Sequence, residues 1–429
     1  MCSLDLPAGD LLQVARISSA GGNTVKKNAD RILTTHVGSL PRAPKLLSLL
    51  GDIDAGKPVD RAQFHREAMQ DLREIIRQQA AAGVDIAGDG ELPRIGFSMY
   101  VKDRMSGFGG VAKRGTVTDF AKFPGYAALM AKRMNLSASD SASVVPTPEC
   151  IGPVIYDPKR TRVTEELDLF KQALAAEPLA SGKFSETFVT AATPGIISTT
   201  LLRNAAHPTY PDDEPYVLAI AEAMKIEYES IVGAGHVLQL DAPDLALERQ
   251  IMFVDQPLPV FLKRVELHIE AINRAVRDIP PEKVRLHMCW GNWDGPHCDD
   301  IDLEPLLPLL YKARVGGLSL ACANPRHSHE SALFRRLPPP KDWVLLPGVI
   351  DVTTNMVEHP QLVANRLLDF VDMLGDRERV IGNTDCGFST FAGYTMIAPD
   401  VVWEKLRTLA AGAALASKNL WGKALGSAA

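Results

Sequence analysis

The stretch VRLHMCWGN, residues 284–292, sets the reading of the chain. It is rich in apolar residues and ends in a Gly-Asn turn, the pattern of a short buried strand. A helical pattern precedes it at 258–277 and another follows at 303–313. A strand between two helices is the unit of a parallel α/β sheet. The same unit recurs on both sides. Strands are predicted at 31–36, 84–88, 188–192, 236–241, 284–290, 317–322, 343–350 and 379–384. Further helices are predicted at 62–82, 215–233, 360–374 and 399–417. In the first of these, Phe64, Ala68, Leu72, Ile75 and Ile76 share one face. Pro215, Pro360 and Pro399 stand where first-turn prolines belong.

Eight strand–helix units in series predict an α/β fold, a (β/α)8 TIM barrel; a doubly wound sheet is the alternative. Residues 1–28 read as a leader and 29–429 as one barrel domain. The interval 95–183 is too long for a single crossover, so it reads as an insertion after the second strand. It holds a helical piece at 126–134, a Ser-rich loop at 137–143 and a short strand at 150–156.

Composition narrows the function classes. The chain has 429 residues, 46% hydrophobic and 23% charged, which fits a large-cored globule and excludes a disordered or fibrous chain. A net charge of −6 without a basic stripe argues against a nucleic-acid partner. No uncharged apolar run is long enough for a membrane span, and the first 27 residues lack an apolar signal core, so a cytoplasmic location is expected. The six cysteines then read as free thiols, some of them as ligands. Association with a second copy of the chain is left open.

In a barrel the chemistry gathers where strands enter their βα loops. His287 and Cys289 are two apart on a strand and so point to one face, and Cys386 ends the eighth strand on the same rim. One imidazole and two thiolates suit Zn2+, and three protein ligands leave one position open, as in catalytic sites. The competing reading makes the cysteines small buried hydrophobes and His287 a core histidine. Glu91, more than Asp89 in its Gly-flanked turn, and Asp241 at the end of an apolar strand are candidates for binding substrate or for acid–base work. Arg42 offers a fork for a carboxylate. Asn324 lies on the same rim. His327 and His329 read as structural or rim residues, and His297 and Cys298 as a plain loop. No phosphate-binding glycine loop follows a strand, so no nucleotide cofactor is indicated.

Seven segments, in order, are similar to the catalytic barrel of cobalamin-independent methionine synthase, especially its single-barrel relatives. They are TTHVGSLPR (34–42), GVDIAGDGELPR (83–94), LQLDAP (238–243), HMCWGNW (287–293), LSLACANPRH (318–327), residues 348–352 and GNTDCG (382–387). The resemblance implies a (β/α)8 barrel whose catalytic zinc, on His287, Cys289 and Cys386, binds an acceptor thiol. Ser39, Glu91 and Asp241 match positions that hold the amino-acid part of homocysteine. The family's glutamate ligand on the sixth strand is Ala321 here, with Cys322 next door as the candidate fourth ligand. The family's proton-donating histidine is replaced by Thr353, and TAATPGIISTT (190–200) lacks the folate-stacking tryptophan. The expectation is therefore a zinc-dependent transferase that moves a methyl or alkyl group from a small donor to a zinc-activated small-molecule thiol. His36 is the candidate proton donor to the leaving group. Epoxyalkane–coenzyme M transferases of the same superfamily provide an alternative model. A metal-free barrel like uroporphyrinogen decarboxylase, which needs a cluster such as Arg42, Arg94 and Arg326, is another. A non-catalytic binding protein is the last.

Overall fold

The computed structural model describes residues 25, 27–133, 144–394 and 396–422, with side chains omitted for 144–146. Most of the predicted leader and the Ser-rich loop at 137–143 lie outside the described residues.

Nine strands occur among these residues. They are β1 (Ile86–Gly88), β2 (Met105–Gly115), β3 (Val144–Tyr156), β4 (Glu186–Ala192), β5 (Val237–Asp241), β6 (Val284–Met288), β7 (Gly317–Leu320), β8 (Val344–Ile350) and β9 (Asn383–Thr384). Seven form one parallel sheet in the order β1-β4-β5-β6-β7-β8-β9. The predicted first strand, 31–36, is not a continuous strand. It makes two isolated parallel bridges, Thr35 to Ile86 on one edge strand and Thr34 to Gly382 beside the other, so this segment touches both edges. Thr34 is drawn off a regular ladder by side chains: its amide and hydroxyl both donate to Asp85 Oδ2, at 2.9 and 3.2 Å.

The helices pack outside the sheet, and local chemistry sets their ends. The helix Arg61–Ala82 starts at Asp60, whose carboxylate accepts from the Ala62 amide, and stops at left-handed Gly83. Asp213–Gly233, Leu258–Ala275, Pro360–Leu374 and Pro399–Trp421 follow their predicted spans closely. The predicted helix 303–313 shrinks to Leu307–Leu310, because Pro308 falls within it. Pro44–Asp54, Thr161–Ala176 and Pro194–Thr200 are additional helices.

Two apolar clusters result. The large one fills the space between sheet and helices. A small one lies on the opposite face of the strands and joins Val25, Leu33, Ile86, Phe188, Val237, Val344, Leu346 and Ile381. Val25 and Asn28 therefore belong to the folded body, although both fall in the predicted leader. Asn28 is buried and donates to the Val380 carbonyl at 2.6 Å.

Between β1 and β4 the chain leaves the sheet. β2 and β3 pair antiparallel, from Met105 opposite Tyr156 to Gly115 opposite Val144, with two register breaks. Short helices Thr118–Lys122 and Pro124–Arg133 continue this excursion. Its root is fixed by buried ion pairs: Arg94 to Glu166 (2.9 Å) and Arg104 to Glu227 (3.0 Å), with Tyr100 and Tyr156 both donating to Glu227 at 2.6 Å. Its far part is latched to the loop after β6 through Lys122 with Asp299 and Arg133 with Asp294.

Candidate metal centre and its cavity

Alternation along β6 turns Arg285, His287 and Cys289 to the inner face. In register, His287 stands between Asp241 of β5 and Ser319 of β7. Ser319 Oγ lies 3.0 Å from His287 Nδ1, which leaves Nε2 buried and without a hydrogen-bond partner. Ligand atoms of His287, Cys289 and Cys386 lie within 4.8 Å of one another. A hydrogen bond from the Cys386 thiol, and His287 beside it, hold the Cys289 thiol well below its ordinary range. The same hydrogen bond pushes the Cys386 thiol up, so the two sulfurs in effect share one proton. A free imidazole nitrogen facing two sulfurs, one readily ionised, fits a borderline-soft divalent metal.

Two tethers fix the segment after β9 that carries Cys386. Asn292 Nδ2 donates to the Gly387 carbonyl and to Thr390 Oγ1, both at 2.7 Å. Asp385 accepts from the amides of Cys322 (2.8 Å), Ala323 (2.7 Å) and Asn324 (2.8 Å), pinning the loop after β7 beside Cys386.

The three candidate ligands open into a cavity of about 1560 Å3 that Ser39, Glu91 and Asp241 also line. Glu91 is a non-glycine residue at φ 55°, a strained conformation held by its amide donating to Asp89 Oδ1 at 3.1 Å. Thr190 donates to its Oε1 at 3.1 Å, while Oε2 is buried without a partner. Burial, then the Asp241 carboxyl, push Glu91 up to about 8. Burial lifts Asp241 to about 6, against a 2.8 Å hydrogen bond from Gln239 Nε2. Ser39 Oγ accepts from the Ser389 amide at 3.2 Å.

Four predicted site residues lie elsewhere. His36 is 1% exposed, with Nε2 2.9 Å from Gln79 Oε1 and its ring against Phe188, so it cannot reach a leaving group in the cavity. The Arg42 guanidinium is buried and spent on the carbonyls of Glu91, Leu92, Arg94 and Ser389. It shapes the Glu91 turn rather than holding a carboxylate. Asn324 is turned to Asp385 and, through Oδ1, to the amides of Arg326 and His327. Cys322 is buried and is not among the residues whose ligand atoms converge, and burial pushes its thiol well up. Arg42, Arg94 and Arg326 do not form a carboxylate-binding cluster: the Arg42 and Arg94 guanidinium groups are buried and already spent, Arg42 on backbone carbonyls and Arg94 on Glu166 and Thr190, and Arg326 is exposed. His327 is a structural residue, stacked on Trp290 and held between Asp300 and Glu330.

Sequence reading missed most of the outer wall. Phe97, Phe120, Met130, Trp293, Met356, Phe391 and Tyr394 line it; Phe120 and Met130 come from the short helices Thr118–Lys122 and Pro124–Arg133, and the others from loops whose apolar residues have no strand or helix period. Thr353, also on the wall, donates to Asp351 at 2.8 Å. No helix among the described residues is long and apolar enough to cross a membrane.

No family model matches the chain. It is 25% identical over 400 residues to a methionine synthase of Sulfurisphaera tokodaii, across 91% of this chain and 94% of that protein. It is 27% identical over 177 residues to the 2-hydroxypropyl-CoM lyase of Xanthobacter autotrophicus, across 35% of this chain and 45% of that protein. The solved B12-independent methionine synthase of Shewanella sp. W3-18-1, in complex with selenomethionine, matches with a TM-score of 0.68 at 21% identity, over 92% of this chain and 100% of that one. Along almost its whole length the chain is thus similar to methionine synthases, and it shares the fold of the B12-independent enzyme.

Proposed function

We propose that the protein is a zinc-dependent transferase that alkylates or methylates a small thiol, working on a (β/α)8 barrel of residues 29–429 with an insertion at 95–183. The barrel reading is supported by the bridges of Thr34 and Thr35 to the two edges of the sheet. His287 Nε2, Cys289 Sγ and Cys386 Sγ would hold the metal and leave a position for the substrate sulfur. Zinc bound there would keep a substrate thiol deprotonated near neutral pH. The methionine synthase relatives support transfer to a thiol amino acid.

This chain's own residues would orient the reactants. Glu91 Oε2, buried and unpartnered, and Asp241 are two carboxyls in one pocket; a substrate ammonium satisfies both. That favours a homocysteine-like acceptor over a sulfonate thiol such as coenzyme M, which would bring a second negative group beside them. Ser39, which lines the same cavity, would bind the substrate's polar end. The thiolate sulfur then attacks the donor carbon. A sulfur–carbon bond forms, the bond from carbon to the leaving group breaks, and the leaving group departs with the electron pair and takes a proton from solvent. The reduced thiol pair suits a cytoplasmic enzyme.

The observation that carries this reading is the convergence of three ligand atoms, with Glu91 and Asp241, on one cavity. Metal analysis of the purified protein should give about one zinc per chain, and its X-ray absorption edge should gain a sulfur ligand when L-homocysteine is added. Cys386→Ser should lower zinc content at least about tenfold. Protein without zinc, or an unchanged Cys386→Ser, sinks the reading.

A further inference from the structure

The loop after β6 closes on a buried chain of side chains that the candidate metal centre does not use. Trp293 lines the cavity, and its own loop is shaped around the indole. A Cβ on Gly291 or on Gly295 would lie 2.0 Å from an atom of that ring. Asp119, fully buried on the helix Thr118–Lys122, accepts from Trp293 Nε1 at 3.2 Å and from the His297 amide at 3.0 Å. The His297 ring stacks on the indole with centroids 3.8 Å apart, and its Nε2 donates to the Trp293 carbonyl at 3.1 Å. His297 stands at φ 53°, a left-handed conformation that persists only when the surroundings hold it.

The hold on its ring is Asp300. Asp300 Oδ2 lies 2.8 Å from His297 Nδ1 and 2.8 Å from His327 Nε2, and its Oδ1 accepts from the Gln250 side-chain amide. The Asp300 side chain has no exposed surface. His327, which follows β7, has its other ring nitrogen 2.7 Å from Glu330 Oε2. A neutral imidazole offers one donor and one acceptor. With a carboxylate at each nitrogen, His327 needs two N–H groups. It also lies flat on Trp290, with centroids 3.6 Å apart and planes 8° from parallel, and an indole face favours a cation. Burial opposes the charge, but the hydrogen bonds to Asp300 and Glu330 outweigh it and raise the imidazole above its ordinary 6.5.

We infer that Asp300 is a positioning residue: it joins His297 to a charged His327 and so fixes Trp293 in the cavity wall. The clasp ties together three segments, the loop after β6, the segment after β7 and, through Asp119, the excursion between β1 and β4. Its value for turnover rests on reading the cavity as the substrate site. The clasp itself is tested without metal or substrate.

Two measurements test it. At about pH 7.5 an ordinary imidazole is mostly neutral. In protein labelled with 15N-histidine, His327 should instead show both ring nitrogens protonated, a signal that His327→Gln removes. Acrylamide quenching of tryptophan emission reads the loop. Asp300→Asn should raise the quenching constant at least about twofold as the loop loosens, and most of that rise should vanish in a Trp293→Phe background. A general loss of stability would not depend on Trp293 in this way. His297→Gln, which removes the stacked ring, gives the same readout should Asp300→Asn not fold. A neutral His327 at that pH, or variants in which Trp293 is as shielded as before, overturns the inference. An intact clasp in protein that holds no zinc leaves the inference standing while the zinc reading falls.

Discussion

Glu91 shows how single residues prepare this site. Its left-handed backbone is supported from below by Arg42, which donates to its carbonyl at 2.7 Å, and its side chain needs a neighbour without a Cβ. A Cβ on Gly38 would come within 2.4 Å of Glu91 Oε1. The stretch VGS is thus cut to fit a carboxyl that follows the next strand, β1. Asp241 is prepared differently. Arg285 Nε donates to Gln239 Oε1 at 2.7 Å, and Gln239 Nε2 donates to Asp241 at 2.8 Å. Gln239→Leu cuts both links and leaves the buried Arg285 Nε without its acceptor, while the Nη atoms keep Thr35 and His36. We expect a loss of about 2 kcal/mol in urea unfolding. Asp241, deprived of its donor, should hold substrate less well, so KM for the thiol should rise several-fold with a smaller change in kcat. An unchanged KM would show that Gln239 serves stability alone.

Among the elements, the loops do what the strands cannot. Asp385 gathers three backbone amides of the loop after β7, and burial lifts its carboxyl to about 6 in spite of them. Asp385→Ala leaves those amides without their acceptor, and we expect about 3 kcal/mol of destabilisation by denaturant melts and a weakened Cys386 ligand, read as faster zinc loss to a chelator. Strands β4 to β8 were legible because buried parallel strands and amphipathic helices carry strong periods. So were His287, Cys289, Cys386, Glu91, Asp241 and Ser39, which sit at strand ends where pattern and chemistry coincide. Arg42 and His36 misled for one reason: a polar residue at a strand end can as well face backbone carbonyls or the core, and sequence does not say which. The partners of Asn324 and Cys322 depend on Asp385, more than sixty residues away. The hairpin β2–β3 was half seen, since glycines and register breaks blur its alternation. The aromatic wall needs loop geometry that no period encodes.

For the whole molecule, buried titratable groups set a stability profile with two opposed limbs. His36 and His236 are held neutral by burial, each lowered from 6.5 to about 4. A ring with a depressed folded value binds its proton in the unfolded chain first. Its contribution is therefore present above pH 6.5 and is lost as pH falls towards 4, up to about 3 kcal/mol per ring. Glu91 works the other way. Its carboxyl is raised from 4.5 to about 8, so the folded state keeps a proton that the unfolded chain has released. That costs nothing below pH 4.5 and grows as pH rises towards 8. Asp241 and Asp385, both raised to about 6, cost stability over the same acid range and offset the histidine limb. The clear fall expected of the metal-free protein therefore lies above pH 6.5, where Glu91 still titrates. The two limbs can be taken apart. His236→Gln, which keeps a polar partner for Thr187, should remove that ring's share of the acid limb and leave the alkaline one; Glu91→Gln should flatten the alkaline limb and leave the acid one. Urea midpoints measured from pH 4 to pH 8.5 decide the matter. Parallel displacement of the whole curve by either substitution, without a change in slope, would mean that the titrations named here do not control stability.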